Sequence, residues 1–158
     1  MDNKLTFMKG KESDIELILS YIIKLAEYEK LANEVVATST SLKEWLFDKE
    51  KAEVMFALLD GQPIGMALFY HSFSTFLGRS GIYLEDLFVD VEYRGLGYGK
   101  QILKELARIT LERGCGRLEW VCINWNQSSI DFYEAQGAIA LNEWTTFRMD
   151  EEALKKFQ

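Results

Sequence analysis

The sequence predicts an α/β fold in a single domain that spans residues 1–158. Strand-like apolar runs and amphipathic helical patterns alternate along the chain, with no internal repeat and no linker between them. One strand pattern, residues 82–89, is apolar on both faces, as expected for a central strand that is covered on both sides. We therefore expect a mixed central β-sheet flanked by helices on both faces, and a chain of 158 residues can bury one proper core.

The first half of the chain carries patterns for three strands and two helices. Ser13 and Glu16 form a capping-box pattern ahead of apolar residues at helical spacing. Asp60 and Gly61 are strong turn residues between two apolar runs, which indicates a hairpin. In order, we expect a strand at 5–9, a helix from Ser13 to about Leu31, a shorter helix from Ser41, and hairpin strands at 53–59 and 64–71.

The second half alternates strands and helices. After strand 82–89 comes a glycine-rich segment, followed by apolar residues at helical spacing that end near Gly114. Residues 117–123 are typical of a buried strand. Asn126 as N-cap and Gly137 as C-terminal stop bound a short helix, and residues 139–149 supply one or two final strands.

Charge and the counts of cysteine and histidine exclude several classes of function. The net charge of −7 argues against binding to nucleic acid or to an anionic membrane, and it favours a small cationic ligand. Two cysteines and one histidine are too few for a disulfide framework or a metal centre, so we expect no metal. The chain has neither a secretion signal nor an apolar run of about 18 residues, so we expect a cytoplasmic protein.

The segment "VEYRGLGYGK" at 91–100 places three glycines at alternate positions before a helix. A strand, a glycine-rich turn and a helix start together can cradle a phosphate, because free backbone N–H groups point at the anion. Arg94 adds a donor for a phosphate oxygen. The spacing fits neither the dinucleotide fingerprint G-x-G-x-x-G nor the P-loop, and an ordinary glycine-rich turn stays open as the alternative.

This segment resembles a known family motif. "YRGLGYG" is similar to the R/Q-x-x-G-x-G/A pyrophosphate loop of the GNAT superfamily of N-acetyltransferases. Three further stretches resemble the spermidine/spermine (diamine) and thialysine N-acetyltransferases of that superfamily, namely "LAEYEKLANEV" (25–35), "YLEDLFV" (83–89) and "NWNQSSIDFYEAQGA" (124–138). The likeness follows the same order over most of the chain.

The resemblance implies a sheet that is splayed to admit acetyl-CoA as co-substrate, and commonly a homodimer. It implies that the backbone of one strand pairs with the pantetheine arm, that the glycine loop holds the pyrophosphate, and that the next helix start also contacts the cofactor. The cofactor residues carried over in this way are Leu87, Phe88, Val89, Arg94, Gly95, Leu96, Gly97, Tyr98, Gly99, Lys100, Asn126, Ser128 and Ser129.

The resemblance also implies catalytic and acceptor-binding residues. Tyr133 falls on the position that protonates the departing thiolate, with packing of its ring onto the sheet as the structural alternative. Glu85 is the better base candidate of its pair, because strand alternation puts it on the face of Leu87 and Val89 and puts Asp86 on the other face. The positions expected to bind the amine are Tyr28, Glu29, Glu85 and Glu119.

The sequence departs from the polyamine enzymes at one place. Those enzymes carry an Asp-Pro-Trp turn before "YLED", whereas this chain has "STF" at 74–76. We therefore expect acetylation of a primary amine on a small cationic acceptor, either a diamine or polyamine or a thialysine-like amino acid. An acetyltransferase for protein lysines or N-termini and a non-catalytic acyl-CoA-binding module stay open as alternatives.

Overall fold

We describe a computed structural model of the chain, which covers residues 3–158. The chain divides into two compact units, Met1–Ile123 and Asn124–Gln158. Within the described residues, no helix is both long enough and apolar enough to cross a bilayer.

The first unit contains a mixed sheet, as the sequence predicts, and this sheet has five strands. The strand order is β1-β2-β3-β4-β5. Each of the first four strands is antiparallel to its neighbours among them, and β5 runs parallel to β4. The strand bounds are β1 Thr6–Lys9, β2 Glu53–Leu59, β3 Gln62–Ser74, β4 Arg79–Val89 and β5 Leu118–Glu119.

Three helices cover the two faces of this sheet. They are α1 Ile15–Tyr28, α2 Ser39–Leu42 (which continues into a π-helical turn, Lys43–Asp48) and α3 Tyr98–Glu112. On one face, α1 and α2 close a core whose buried members are Ile18, Tyr21, Leu42, Leu46, Val54, Phe56, Met66, Leu68 and Phe88. The opposite face meets α3, since a Cβ atom built on Gly65 would lie 3.4 Å from Ile102 Cδ1. Helices on both faces are thus confirmed.

Gly65 lets β3 approach β4 where β4 ends. A Cβ atom at this position would lie 2.7 Å from the carbonyl oxygen of Phe88, which no side chain tolerates. We expect Gly65→Ala to lower the free energy of unfolding by about 1–3 kcal/mol, because backbone must shift in a packed core. Thermal melting measures this. Ser72→Ala in the same strand is the control: its buried hydroxyl has no partner among the described residues, so it should lose no stability. An equally stable Gly65→Ala variant would contradict the close approach.

The second unit contains two helices, α4 Gln127–Ala135 and α5 Glu151–Phe157. The prediction of strands within 139–149 is wrong: no residue of this range is in a strand. A strand needs a partner for its backbone, and here the chain forms a turn in which Trp144 N–H donates to Leu141 C=O. The apolar side chains that suggested strands are exposed, among them Ile139 (83%) and Phe147 (91%).

Candidate active site

Strands β4 and β5 stay paired over a very short length. Their register joins Ile82 to Leu118 and Tyr83 to Glu119. From residue 84 to Val89, this side of β4 has no strand partner within the described part of the chain. The predicted strand 117–123 is therefore confirmed only at 118–119, and Val121 beyond it is 72% exposed. The result is a sheet edge whose N–H and C=O groups are available to a ligand.

The glycine loop follows β4 through a short 3-10 turn, Val91–Tyr93. Gly95 and Gly97 have φ angles of +74° and +85°, in the left-handed region that favours glycine. No atom lies within 4 Å of the Cβ position of either residue, so the backbone of the loop is open. Gly97 caps α3, and the first N–H groups of a helix have no partner inside it. This arrangement fits a phosphate.

Arg94 makes contacts that the sequence does not show. Its Nε–H donates to the carbonyl oxygen of Val89 at 2.9 Å. Its guanidinium lies 4.7 Å from the ring centroid of Tyr28 and 4.8 Å from that of Phe88. Tyr98, in contrast, is buried against Tyr93, so its backbone is the part that faces the loop.

A β-bulge interrupts β4 at its two adjacent carboxyl groups. The register pairs Phe69 with Leu84 and Leu68 with Asp86, so one residue of β4, Glu85, is extra. Asp86 pairs with Leu68 and Leu87 pairs with Ala67, so Asp86 lies on the face opposite Leu87, as the sequence predicts. The bulge interrupts the alternation on which the face predicted for Glu85 depends, so its place beside Leu87 and Val89 stays a prediction. Glu85 is close enough to act electrostatically on Asp86. Alternation cannot reveal a bulge.

Asp86 is the carboxyl group whose environment is most perturbed in β4. Burial, together with the negative charges of Glu85 and Glu29, raises its pKa from 3.8 to about 6. Glu85 itself is exposed. Burial also raises the pKa of Glu29, which directly follows α1. Because Glu85 and Glu29 both act electrostatically on Asp86, these three carboxyl groups form an acidic cluster.

Because the pKa of Asp86 is raised, the free energy of unfolding should depend on pH. An acid whose pKa is raised in the folded state destabilises the fold once it ionises, so stability should fall as pH rises from about 4 to 7. One pKa unit corresponds to about 1.4 kcal/mol, so a rise from 3.8 to about 6 costs up to about 3 kcal/mol at pH 8. We expect Asp86→Asn to melt at a higher temperature than the wild type at pH 8 and at an equal one at pH 4. Exposed Glu34→Gln is the control; a pH-independent difference would contradict the burial argument.

The remaining acceptor candidates of the first unit differ in their surroundings. Tyr28 is the last residue of α1, and it is partly exposed beneath the guanidinium of Arg94. Glu119 in β5 forms an ion pair with Arg117, with 2.7 Å between Oε1 and Nε. The charge of Glu119 is thus already compensated, whereas no ion pair with Asp86 is seen among residues 3–158.

In the second unit, the start of α4 contains the remaining cofactor candidates. Asn126 is the N-cap, and its Oδ1 accepts from Ser129 N–H at 3.4 Å and from Ser128 Oγ at 3.2 Å. Tyr133 lies on α4, half-buried, with its ring centroid 5.5 Å from that of Phe132. Helix-start chemistry is therefore the observed role of Asn126 and both serines.

Comparisons with known proteins agree with this geometry. The model of the acetyltransferase (GNAT) family matches residues 21–138. The chain belongs to the GNAT acetyltransferase family. Thialysine N-epsilon-acetyltransferase of Bos taurus is 38% identical over 162 residues, which cover 94% of each chain. The spermidine/spermine N(1)-acetyltransferase-like protein 1 of Homo sapiens is 30% identical over 156 residues, which cover 92% of this chain and 22% of that protein. An integron cassette protein of V. cholerae shares the fold, with a TM-score of 0.80, 24% identity and coverage of 98% of this chain and 97% of that one.

Membership of the GNAT family accounts for the open edge of β4 and for the glycine loop. GNAT acetyltransferases use acetyl-CoA as co-substrate, so this chain is an acetyl-CoA-dependent N-acetyltransferase. The unpaired edge of β4 and the open backbone at Gly95 and Gly97 fit a cofactor that has a polar arm and a pyrophosphate. Sequence reasoning undervalued Asp86, for which the only signal was its place beside Glu85, and it missed the contact between Arg94 and Tyr28.

Proposed function

We propose that this GNAT enzyme transfers the acetyl group of acetyl-CoA to the primary amine of a small cationic acceptor, a thialysine-like amino acid or a short diamine. The observation that supports this most is the unpaired edge of β4, which leads directly into the glycine loop. The acidic cluster of Glu85, Asp86 and Glu29 suits a cationic acceptor. The names of the relatives agree with an amine of this class.

The residues proposed for the co-substrate follow from the open backbone. In the segment 87–89, the backbone groups on the side of β4 away from β3 would hydrogen-bond the pantetheine arm, since β4 has no β5 partner there. The C=O of Val89 already accepts from Arg94 Nε–H. The loop of residues 94–100 would receive the pyrophosphate on its N–H groups. Asn126, Ser128 and Ser129 are further contacts that the family resemblance implies.

The acceptor amine has to lose a proton before it reacts. An alkyl ammonium has a pKa of about 10.4, so near neutral pH it binds as a cation and must be deprotonated. We propose that Glu85 accepts this proton, directly or through water, because it is exposed beside the half-buried Asp86. Asp86 and Glu29 hold the cation before transfer, and Tyr28 and Glu119 stay candidates for contact with the rest of the acceptor.

The leaving group needs the opposite proton transfer. When bound, acetyl-CoA supplies the acetyl group as a thioester. The hydroxyl of Tyr133 donates a proton to the departing sulfur, and Tyr133 is then restored by solvent.

The tip of the β3–β4 hairpin bears on acceptor choice. Here Ser74 is buried and its Oγ accepts from Leu77 N–H at 3.1 Å, while Phe76 is fully exposed. No acid occupies 74–76, where polyamine enzymes of the family carry Asp-Pro-Trp. We therefore expect thialysine or short diamines to equal or exceed spermidine in kcat/KM.

A panel of amines tests this proposal. Release of free thiol from acetyl-CoA is measured with thialysine, ornithine, putrescine, spermidine, spermine and a lysine peptide. A preference for spermidine or spermine by more than about tenfold, roughly 1.4 kcal/mol, would contradict the argument from the hairpin tip. Turnover of the peptide alone would favour a protein-modifying enzyme instead.

We also propose that the protein is a homodimer. The second unit exposes several large apolar side chains between α4 and α5, and exposed apolar patches mark interaction surfaces; they include Ile139, Leu141, Trp144 and Phe147. Light scattering coupled to size-exclusion chromatography gives the mass of the assembly directly.

We also expect a cytoplasmic protein that binds no metal. Both expectations rest on the amino-acid sequence alone.

A further inference from the structure

The segment that joins β4 to the glycine loop, residues 90–94, is fastened to α1 at two points. The carboxylate of Asp90 accepts from Tyr21 Oη at 3.1 Å and from Lys24 Nζ at 3.0 Å. The guanidinium of Arg94 lies over the ring of Tyr28. Tyr21, Lys24 and Tyr28 are spaced i, i+3 and i+7, which places them on one face of α1. We call these three residues the α1 clasp.

The Arg94 end of this contact is held from several directions. Phe88 lies 4.8 Å from the guanidinium, and Nε–H donates to Val89 C=O. A planar guanidinium that touches two rings and a carbonyl group has little freedom to move. Gly95 follows directly along the chain, so these contacts fix the point at which the glycine loop begins.

The loop itself has little packing with which to hold its shape. Gly95 and Gly97 have no side chains, and nothing approaches their Cβ positions within 4 Å. Leu96 between them is 62% exposed. The position of the loop therefore depends on its two ends, Arg94 on one side and the buried Tyr98 at the start of α3 on the other.

We infer that Tyr28 is a positioning residue for the cofactor loop and that it acts through Arg94. This inference rests on the proposed function, because it assumes that the loop binds the pyrophosphate of acetyl-CoA. The same residue adjoins Glu29 at the acceptor side, so one end of α1 serves both substrates. Acetyl-CoA and the amine should then each increase the affinity for the other by the same factor, since coupling of binding is reciprocal.

Substitution of Tyr28 tests the inference by calorimetry with acetyl-CoA alone, in the absence of any amine. Tyr28→Leu removes the ring beneath Arg94 and should weaken binding by about threefold or more, the effect of losing one cation–π contact. Tyr28→Phe keeps the ring and should bind as the wild type does. Trp45→Leu is the matched control, because it removes a ring that Lys49 Nζ approaches to 3.9 Å elsewhere in the same unit. Its affinity should not change.

A double-mutant cycle with Arg94→Gln shows whether Tyr28 acts through Arg94. The inference predicts that Tyr28→Leu adds no further loss of affinity once Arg94 has been replaced. It also predicts that Arg94→Lys, which keeps the charge but loses the planar group, binds acetyl-CoA more weakly than the wild type. Melting curves confirm that each variant is folded.

Three results would overturn the inference that Tyr28 positions the loop through Arg94. They are unchanged affinity in a folded Tyr28→Leu variant, full affinity in Arg94→Lys, and losses that multiply in the double variant. Failure of the proposed function gives a different result, since the wild type would then not bind acetyl-CoA at all.

Discussion

Tyr133→Phe is expected to lower kcat by roughly 10²–10⁴-fold, because the departing thiolate loses its proton donor. The substitution removes one hydroxyl and keeps the ring, so contact with Phe132 on α4 is retained and the melting temperature should hardly change. KM for acetyl-CoA should shift little, since an interaction of the transition state has been removed. Steady-state rates with the best acceptor of the panel measure both quantities.

The control for this prediction is Phe132→Leu, which disturbs the packing of Tyr133 and leaves its hydroxyl in place. We expect this variant to lose stability and to keep most of its activity. A folded Tyr133→Phe variant that retains more than about a third of wild-type kcat would remove Tyr133 from the mechanism. That conclusion holds when the chemical step limits kcat. The absence of a pre-steady-state burst of product establishes this.

Gly97→Val should weaken acetyl-CoA binding at least tenfold, about 1.4 kcal/mol. Gly97 has a φ of +85°, which a β-branched residue adopts only with strain, and a new side chain would stand over the open loop. Both effects move or obstruct the N–H groups that the pyrophosphate needs. Isothermal titration calorimetry gives the affinity.

Gly61→Val is the matched control for the strain. Gly61 lies in the turn between β2 and β3, has a φ of +80°, and likewise has no atom within 4 Å of its Cβ position. This variant should lose comparable stability and keep its affinity for acetyl-CoA. Equal affinity in folded Gly97→Val would contradict the phosphate-loop assignment.

Local patterns in the sequence predict most of the first unit. The strand predicted at 53–59 is observed at Glu53–Leu59, because a hydrophobic run that ends at the turn residues Asp60–Gly61 defines where the strand stops. The strands predicted within 139–149 have the same apolar character, yet that segment is not paired. Apolar character favours a strand, but only a neighbouring strand can satisfy its backbone, and a linear sequence does not name that neighbour.

Some features of the candidate site could likewise be predicted from the sequence, and others could not. The glycine loop could be predicted, because left-handed backbone demands glycine at Gly95 and Gly97. The bulge at Glu85 could not, since it arises from the register between β3 and β4. The contact of Arg94 with Tyr28 joins residues that are far apart in the chain, and no spacing rule covers it.

The central claim is that this GNAT enzyme moves an acetyl group from acetyl-CoA onto a small primary amine. The most direct measurement incubates the protein with acetyl-CoA labelled in its acetyl group and with thialysine, and follows both products by mass spectrometry. The account predicts one labelled N-acetyl group on thialysine for each free CoA thiol that is released, and almost none with the Tyr133→Phe variant. Release of thiol without label on any amine of the panel, or tight binding of acetyl-CoA without turnover, would contradict it.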